Sequence, residues 1–391
     1  MSEIKVNSIK GVGASAAAIT VNNTDGSCAV NNTQRQGKNL ILNGAMTIAQ
    51  RGASATGSAT SGQFQVDRFQ TRADNTDNAS FTHAQVTDAP SGTGFSKSFK
   101  LSVGTAETTL DANENVYIVQ KIEGQNVQQL AYGSSSAQKV TLSFYVKSYQ
   151  TGNFTIALYK DDSQASVITS TYTVSQSATW EKKTITFDGI TTSGIVDDNG
   201  NGLAVYWHLA AGTNYTSANS TTWGNYSDAR FAFGQAVNFL SSTNNYFQIT
   251  GVQLEVGSVA TDFEHRSFAQ ELALCQRYYV RYQQDGSSSS AYWVGQTAAY
   301  GSDNNMMMLY FPVSMRSYPS SMETSGTASD YQLWGGGTVA NLGSLPTLRG
   351  SHGLNHQVAG VDITHSITTG HSRILRIGGS TGAYFAFSAE L

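Results

Sequence analysis

Four aromatic residues close together carry the first chemistry that the sequence offers. Tyr206 falls out of phase with the apolar residues of its strand, and Tyr215, Trp223 and Tyr226 follow in a loop-rich segment. Exposed Tyr and Trp rings stack on the apolar C–H faces of sugars, while the Asn, Ser and Thr around them match sugar hydroxyls. These four, with Trp293 and Trp334 further along, are the candidate glycan contacts. The competing reading of the same rings is a sheet edge or a subunit contact.

Other constellations are weaker. Asp197-Asp198-Asn199-Gly200-Asn201-Gly202 contains Asp-x-Asn-x-Asn-Gly, the opening half of a calcium loop, with Asp197, Asn199 and Asn201 as candidate oxygen ligands for a structural calcium ion. The place of the closing bidentate Glu is taken by His208, within a strand pattern, so a hairpin turn is favoured and no cofactor is expected. His352, His356, His365 and His371 fall late but lack a compact two-histidine spacing with a carboxylate, and read as polar loop residues. Asp262 and Glu264, within Thr261-Asp262-Phe263-Glu264-His265-Arg266, suit an ion-pair network better than a glycosidase pair. There is no Gly-x-Ser-x-Gly, no Walker loop and no strand-borne Gly-x-Gly-x-x-Gly, so no catalysis is expected.

These residues must be held by strands. Gly numbers 38 against 4 Pro, aromatics make up 10% of the 391 residues, and polarity comes mostly from Ser, Thr, Asn and Gln. Ser, Thr and Asn compete with helix hydrogen bonds, while Thr, Tyr and Phe suit a pleated surface, so an all-β fold follows. With 23 basic against 27 acidic residues the net charge is −4, and only 13% of residues are charged, which argues against an electrostatic grip on nucleic acid. No window of about 18 apolar residues predicts a membrane span, and the first ten residues do not resemble a signal peptide. Synthesis in a cytoplasm without export by the standard route is expected. Cys28 and Cys275 lie too far apart in sequence and setting to suggest a disulfide.

Period-two alternation marks the strands. In 140–147 the apolar set is Val140, Leu142, Phe144 and Val146, which predicts one core face and one wet face. Phe154, Ile156 and Leu158, then Leu203, Val205, Trp207 and Leu209, repeat the pattern, with polar turns between. Residues 39–265 therefore read as a jelly-roll β-sandwich whose strands begin at Asn39. Ser267-Phe268-Ala269-Gln270 has capping-box form, and Phe268, Leu272, Cys275 and Tyr279 follow at helical spacing, which predicts a connecting helix over 266–283. After a Gly/Ser joint at 285–290, residues 284–391 return to strands as a second, smaller β-sandwich-like domain. Residues 1–38 hold too little apolar surface to fold alone and need a partner surface or copies of themselves.

Several phrases together resemble one family. Asn39-Leu40-Ile41-Leu42-Asn43-Gly44-Ala45-Met46, Ala49-Gln50-Arg51-Gly52 and Val66-Asp67-Arg68-Phe69 are similar to the opening of a β-sandwich module in tail fibre and tail structural proteins of marine and cyanobacterial bacteriophages. Gln120-Lys121-Ile122-Glu123-Gly124-Gln125-Asn126, Leu142–Ser148 and Trp180–Ile185 continue the likeness. Gln248-Ile249-Thr250-Gly251-Val252-Gln253-Leu254-Glu255 carries it through Thr261–Arg266 to Cys275-Gln276-Arg277-Tyr278-Tyr279. The resemblance covers roughly residues 39–282, and more loosely the closing Phe387-Ser388-Ala389-Glu390-Leu391. It implies a virion tail subunit with a sandwich similar to carbohydrate-binding modules, docked on phage tail proteins through residues 1–38, forming a homotrimer and touching bacterial surface polysaccharide. Rival expectations are a decorating or connecting protein of the capsid or tail, and a polysaccharide depolymerase.

Overall fold

The computed structural model describes residues 37–391 except 58–61, 77–78, 163, 285–290, 302, 351–355, 366–370, 379 and 381. It also describes the backbone of Ser8–Ile9, Ile19–Val21 and Cys28–Val30, which pair into a small antiparallel sheet. The Gly/Ser joint, His352 and most of residues 1–38 lie outside the described residues. The fold is all-β. Among the described residues the α-helices are short: Thr213–Thr216, Asp228–Phe231 and Phe268–Gln276.

Two sheets form the large sandwich. One runs, edge to edge, Glu181–Phe187, Val140–Ser148, Tyr246–Val256, Ser98–Thr105, Ser80–Val86 and Ser54–Gly57. The other runs Gly224–Asn225, Ser166–Val174, Gly152–Lys160, Asn201–Ala211, Asn115–Glu123, Phe69–Asp74 and Gln63–Val66. The chain crosses repeatedly between them, as in a jelly roll. The alternating residues do what their period requires: Val140, Leu142, Phe144 and Val146 are all fully buried between the sheets. Trp207 sits at the centre with no exposed surface, its ring 6.1 Å from that of Phe69 and 6.0 Å from that of Phe144.

A second core joins the three-stranded sheet Tyr279–Gln283, Tyr384–Ser388, Ser321–Thr324 to a seven-stranded one. The latter runs Thr338–Asn341, Tyr331–Gly335, Ser372–Ile377, Tyr292–Ala299, Asn304–Tyr310, Val358–Thr364 and Thr347–Leu348. Phe385 and Phe387 from the small sheet meet Leu333, Leu375 and Met307 from the large one, giving a sandwich-like second core.

Three expectations are corrected. Residues 39–44 form no strand but a buried irregular corner: Asn43 adopts φ 56°, accepts from the Ile48 N–H and donates to Ile48 O and Asp67 O. Gly44 is needed beside it, because a Cβ there would lie 2.1 Å from Val252 O. The helix begins on the expected capping box but stops at Gln276, and Tyr279–Gln283 instead pairs with Tyr384–Ser388. Aromatic and β-branched residues suit that pairing better than another helical turn. Phe268, expected on the packed side, is 65% exposed. Finally, the outer face of the seven-stranded sandwich sheet is not wet around Asn201–Ala211, whose interior positions are all buried. The segment after that strand folds back over it.

Candidate functional site

The fold-back creates the site. Register places Tyr206 opposite Ala157, Tyr159 opposite Ala204, and Tyr117 beside Arg72 and His208 on one sheet face. Alternating Tyr with Ala across neighbouring strands leaves room for each ring to tilt over its small neighbour. The returning segment adds Tyr215, Tyr226 and Phe231. Phe231, on the helix Asp228–Phe231, wedges against Tyr206 and His208, each 4.8 Å away between ring centroids. Tyr206 forms the floor, with Tyr117 at 5.2 Å and Tyr159 at 6.2 Å, both edge-on.

The result is an open basin of about 360 Å³, within the usual range of small-ligand sites. Its rim is polar and internally tied. Arg72 Nε donates to Asp74 Oδ1 at 2.7 Å, and the Tyr117 hydroxyl donates to Asp74 Oδ2 at 3.1 Å. The Tyr226 hydroxyl donates to Asp228 at 2.7 Å and the Tyr159 hydroxyl to Asp161 at 3.2 Å. Asn201 Nδ2 donates to Asp161 Oδ2 at 3.1 Å, while its Oδ1 is buried without a partner among the described residues. Burial, then the neighbouring Asp161, push the Tyr159 phenol up to about 12, and burial raises Tyr206, Tyr226 and Tyr117 still further. All stay protonated, and Tyr117, Tyr159 and Tyr226 already donate their protons to Asp74, Asp161 and Asp228, so toward a ligand these three offer acceptor oxygens and stacking surfaces. Each carboxylate at the rim already accepts from a protein group. A ligand with many hydroxyls and an apolar ring face fits this arrangement best.

Sequence reasoning and structure meet unevenly here. Tyr206, Tyr215 and Tyr226 converge in the basin, but Tyr206 is a floor residue only 8% exposed rather than a projecting ring, because Phe231 and its segment cover that face. Trp223 lies elsewhere: it packs 6.0 Å from Tyr132 and donates to Asp188 O at 2.6 Å. Trp293 and Trp334 meet each other on the second sandwich. The candidate calcium ligands diverge: Asn201 turns to Asp161, Asn199 Nδ2 donates to Arg316 O at 2.6 Å, and Asp197 is exposed, while its neighbour Asp198, not a candidate, accepts from the Gly200 N–H. Among the described residues no three His, Cys, Asp or Glu gather as a metal site. Tyr159, outside the candidate set, is out of phase with Ile156 and Leu158, the same signal that marks Tyr206. Tyr117 was hidden inside the unbroken apolar run Val116–Val119.

Beneath Phe231, His208 is fully buried, and burial lowers its pKa to about 3; burial likewise lowers His83 to about 4. Both are neutral in the fold, whereas the unfolded chain protonates them near 6.5, so the unfolded state binds more protons below that pH. Stability is therefore full above about pH 6.5 and falls, by about 1.4 kcal/mol per unit and per histidine, as pH drops toward the folded values. The urea midpoint should fall between pH 7.5 and 5, and less so in His208→Asn. Equal midpoints at both pH values for the wild type would contradict the buried neutral assignment.

A scan against protein-family models found no match, and a search of curated proteins likewise found none. Among solved structures, the chain is similar to the enzymatically active domain of a bacteriophage CBA120 tailspike protein, at 12% identity and TM-score 0.30, over 57% of this chain and 23% of that one. It is also similar to a family 11 carbohydrate-binding module from Clostridium thermocellum in complex with a β-1,3-1,4-mixed-linked tetrasaccharide, at 12% identity and TM-score 0.25, over 55% of this chain and 98% of the module. A third is the N-terminal CBM22-1–GH10 module pair of endo-1,4-β-D-xylanase 10B (Xyn10B) from Clostridium thermocellum in complex with xylohexaose, at 12% identity and TM-score 0.26, over 53% of this chain and 29% of that one. The chain thus spans less than a quarter of the tailspike domain's length.

Proposed function

We propose that this chain is a non-enzymatic bacteriophage virion subunit, of tail-fibre or tail-appendage type, which holds a neutral surface glycan in the tyrosine basin. The observation that carries the glycan reading is the basin itself: Tyr117, Tyr159, Tyr206, Tyr215 and Tyr226 converge from separate strands and loops around one cup with a hydroxyl-matching rim. That its carboxylates are engaged by Arg72 and by tyrosine hydroxyls supports binding over hydrolysis. The virion role rests on the resemblance of residues 39–282. In it, residues 1–38 join the tail, three copies assemble, and several chains on one particle turn weak contacts into avid attachment.

The test is titration of the full chain against neutral glucans, mannans and galactans. At least one should bind, and Tyr226→Ala should weaken it at least about tenfold, or 1.4 kcal/mol, in a variant that still melts cooperatively. Absence of binding across all three polymer classes, or an unaffected Tyr226→Ala variant, would remove the basin from the proposal. Purified particles should contain the chain, mass photometry should give three times the chain mass, and no reducing ends should be released from a bound glycan.

A further inference from the structure

The seven-stranded sheet of the second sandwich buries only one face. Leu333 and Leu375 point into the core at 2% and 0% exposure, whereas Trp293 and Trp334 on the opposite face are 50% and 37% exposed. Register sets them together. Gln332, Arg376 and Trp293 stand in one row across three strands, and Trp334 lies opposite Ile374 in the next. The two indoles meet edge-to-face at 5.3 Å and 88°. They wall a cleft of about 680 Å³ that is also lined by Gly295, Gln296, Ser372 and Arg373.

Arg373 lines this cleft, and Arg376 stands beside Trp293, one of its walls. Arg376 lies 5.6 Å from the Trp293 ring centre, and its Nε donates to Gln332 Oε1 at 2.9 Å. Arg373 runs along Gly335, where a Cβ would come within 2.4 Å of its Cδ, so glycine is what lets the arginine stem lie against this strand. Among the described residues, the one hydrogen bond of Arg373 Nη1 is a long 3.5 Å contact to Ser372 O. Among the described residues neither arginine is paired with a carboxylate, in contrast to Arg349 on the same sandwich, which holds Asp362 at 2.8 Å. Two uncompensated planar cations beside two exposed indoles form a surface lacking one component, an anion attached to something that stacks.

We propose that this cleft binds an acidic sugar of a surface polysaccharide, a pyranose bearing a carboxylate. The apolar face of the ring stacks on indole, and the carboxylate takes up the free fork of Arg373, Arg376 or both. The site goes beyond the tyrosine basin and does not depend on it. The basin's carboxylates Asp74, Asp161 and Asp228 outnumber Arg72 and Lys121 and are already hydrogen-bonded, so it suits a neutral ligand over an anion; this cleft carries net positive charge and selects an anionic one.

The experiment titrates the full chain with polygalacturonate, alginate and hyaluronan by calorimetry, alongside fully methyl-esterified polygalacturonate, which keeps the backbone and masks the charge. At least one free-acid polymer should bind. Polygalacturonate should bind at least about tenfold more tightly than its ester, and the acid form should weaken between 25 and 200 mM NaCl. Arg373→Gln with Arg376→Gln should erase that difference while leaving neutral-glycan binding at the basin and the melting curve unchanged. Trp334→Ala should weaken acid and ester forms together. Failure of all three uronate polymers, equal affinity for acid and ester, or an unaffected double variant would each overturn the proposal. So would tighter, equally arginine-dependent binding of dextran sulfate, which would make the cleft a general polyanion site. Dissociation of an oligomer by Trp334→Ala would assign the face to a second copy of the chain and overturn it too. Loss of neutral binding alone would count against the basin and leave this cleft standing.

Discussion

Trp207→Ala should lower the unfolding free energy of the large sandwich by about 3 to 5 kcal/mol. The side chain is fully enclosed, with Phe69 and Phe144 against its ring and both sheets closing over it, so the vacated volume cannot be filled by a small local shift. The loss combines the transfer of a large apolar surface back toward water with the contacts forfeited around a cavity. Its neighbour provides the internal comparison. A ring projecting from a wet face would be removable at little cost, but Tyr206 packs on Tyr117, Tyr159 and Phe231. Tyr206→Ala should therefore also destabilise, by less than Trp207→Ala, because the space it leaves opens into the basin instead of a sealed core. Urea unfolding of the two variants checks both parts. A Trp207→Ala loss below about 1 kcal/mol would mean that the core is not organised around this indole.

What the sequence makes legible is the scaffold. Alternation of apolar residues places Val140 to Val146 and Leu203 to Leu209 between the sheets, because a period of two has only one arrangement that buries the apolar set. The capping box is local chemistry, and it forms as written. The basin is less legible because it is made by tertiary return. Nothing near Phe231 in the chain indicates that its short helix will lie across His208 and Tyr206. Ala157 and Ala204, which make room for the rings, carry no signal until register is known. The phrases behind the family resemblance report something else again. Arg51, Asp67, Arg68, Glu123, Arg277, Tyr278 and Tyr279 gather where the two sandwiches meet, not in the basin. Burial alone would raise Glu123, but both of its oxygens accept from Arg277, and Tyr278 and Gln125 also donate to it, holding its pKa below the ordinary value. The resemblance therefore reads the joint of the molecule, and leaves the ligand to be read from geometry.

That joint yields the other large effect: Glu390→Ala should destabilise the protein by about 3 to 5 kcal/mol. The Glu390 carboxylate pairs with Arg68 and, at 3.3 Å, with Arg51, and the Arg68 side chain is only 2% exposed. The guanidinium of Arg68 also lies 3.5 Å from the Tyr278 ring centre and donates to Lys121 O at 2.7 Å, so it cannot turn outward to recover water without abandoning both. Removing the acid leaves a desolvated cation with a backbone carbonyl and a ring in place of a counter-charge. Glu390→Gln, which keeps an acceptor oxygen but no charge, should cost less. Replacing both partners, as Arg68→Met with Glu390→Leu, should recover much of the loss, since a buried pair is worth little over apolar side chains of similar volume while a broken one is expensive. The same contact fastens the second sandwich to the first, and each has its own core. Glu390→Ala should therefore also split thermal unfolding into two steps, the cores melting separately once their shared charge network fails. A Glu390→Ala melt that stays single and within about 1 kcal/mol of the wild type would show that apolar packing alone joins the two halves.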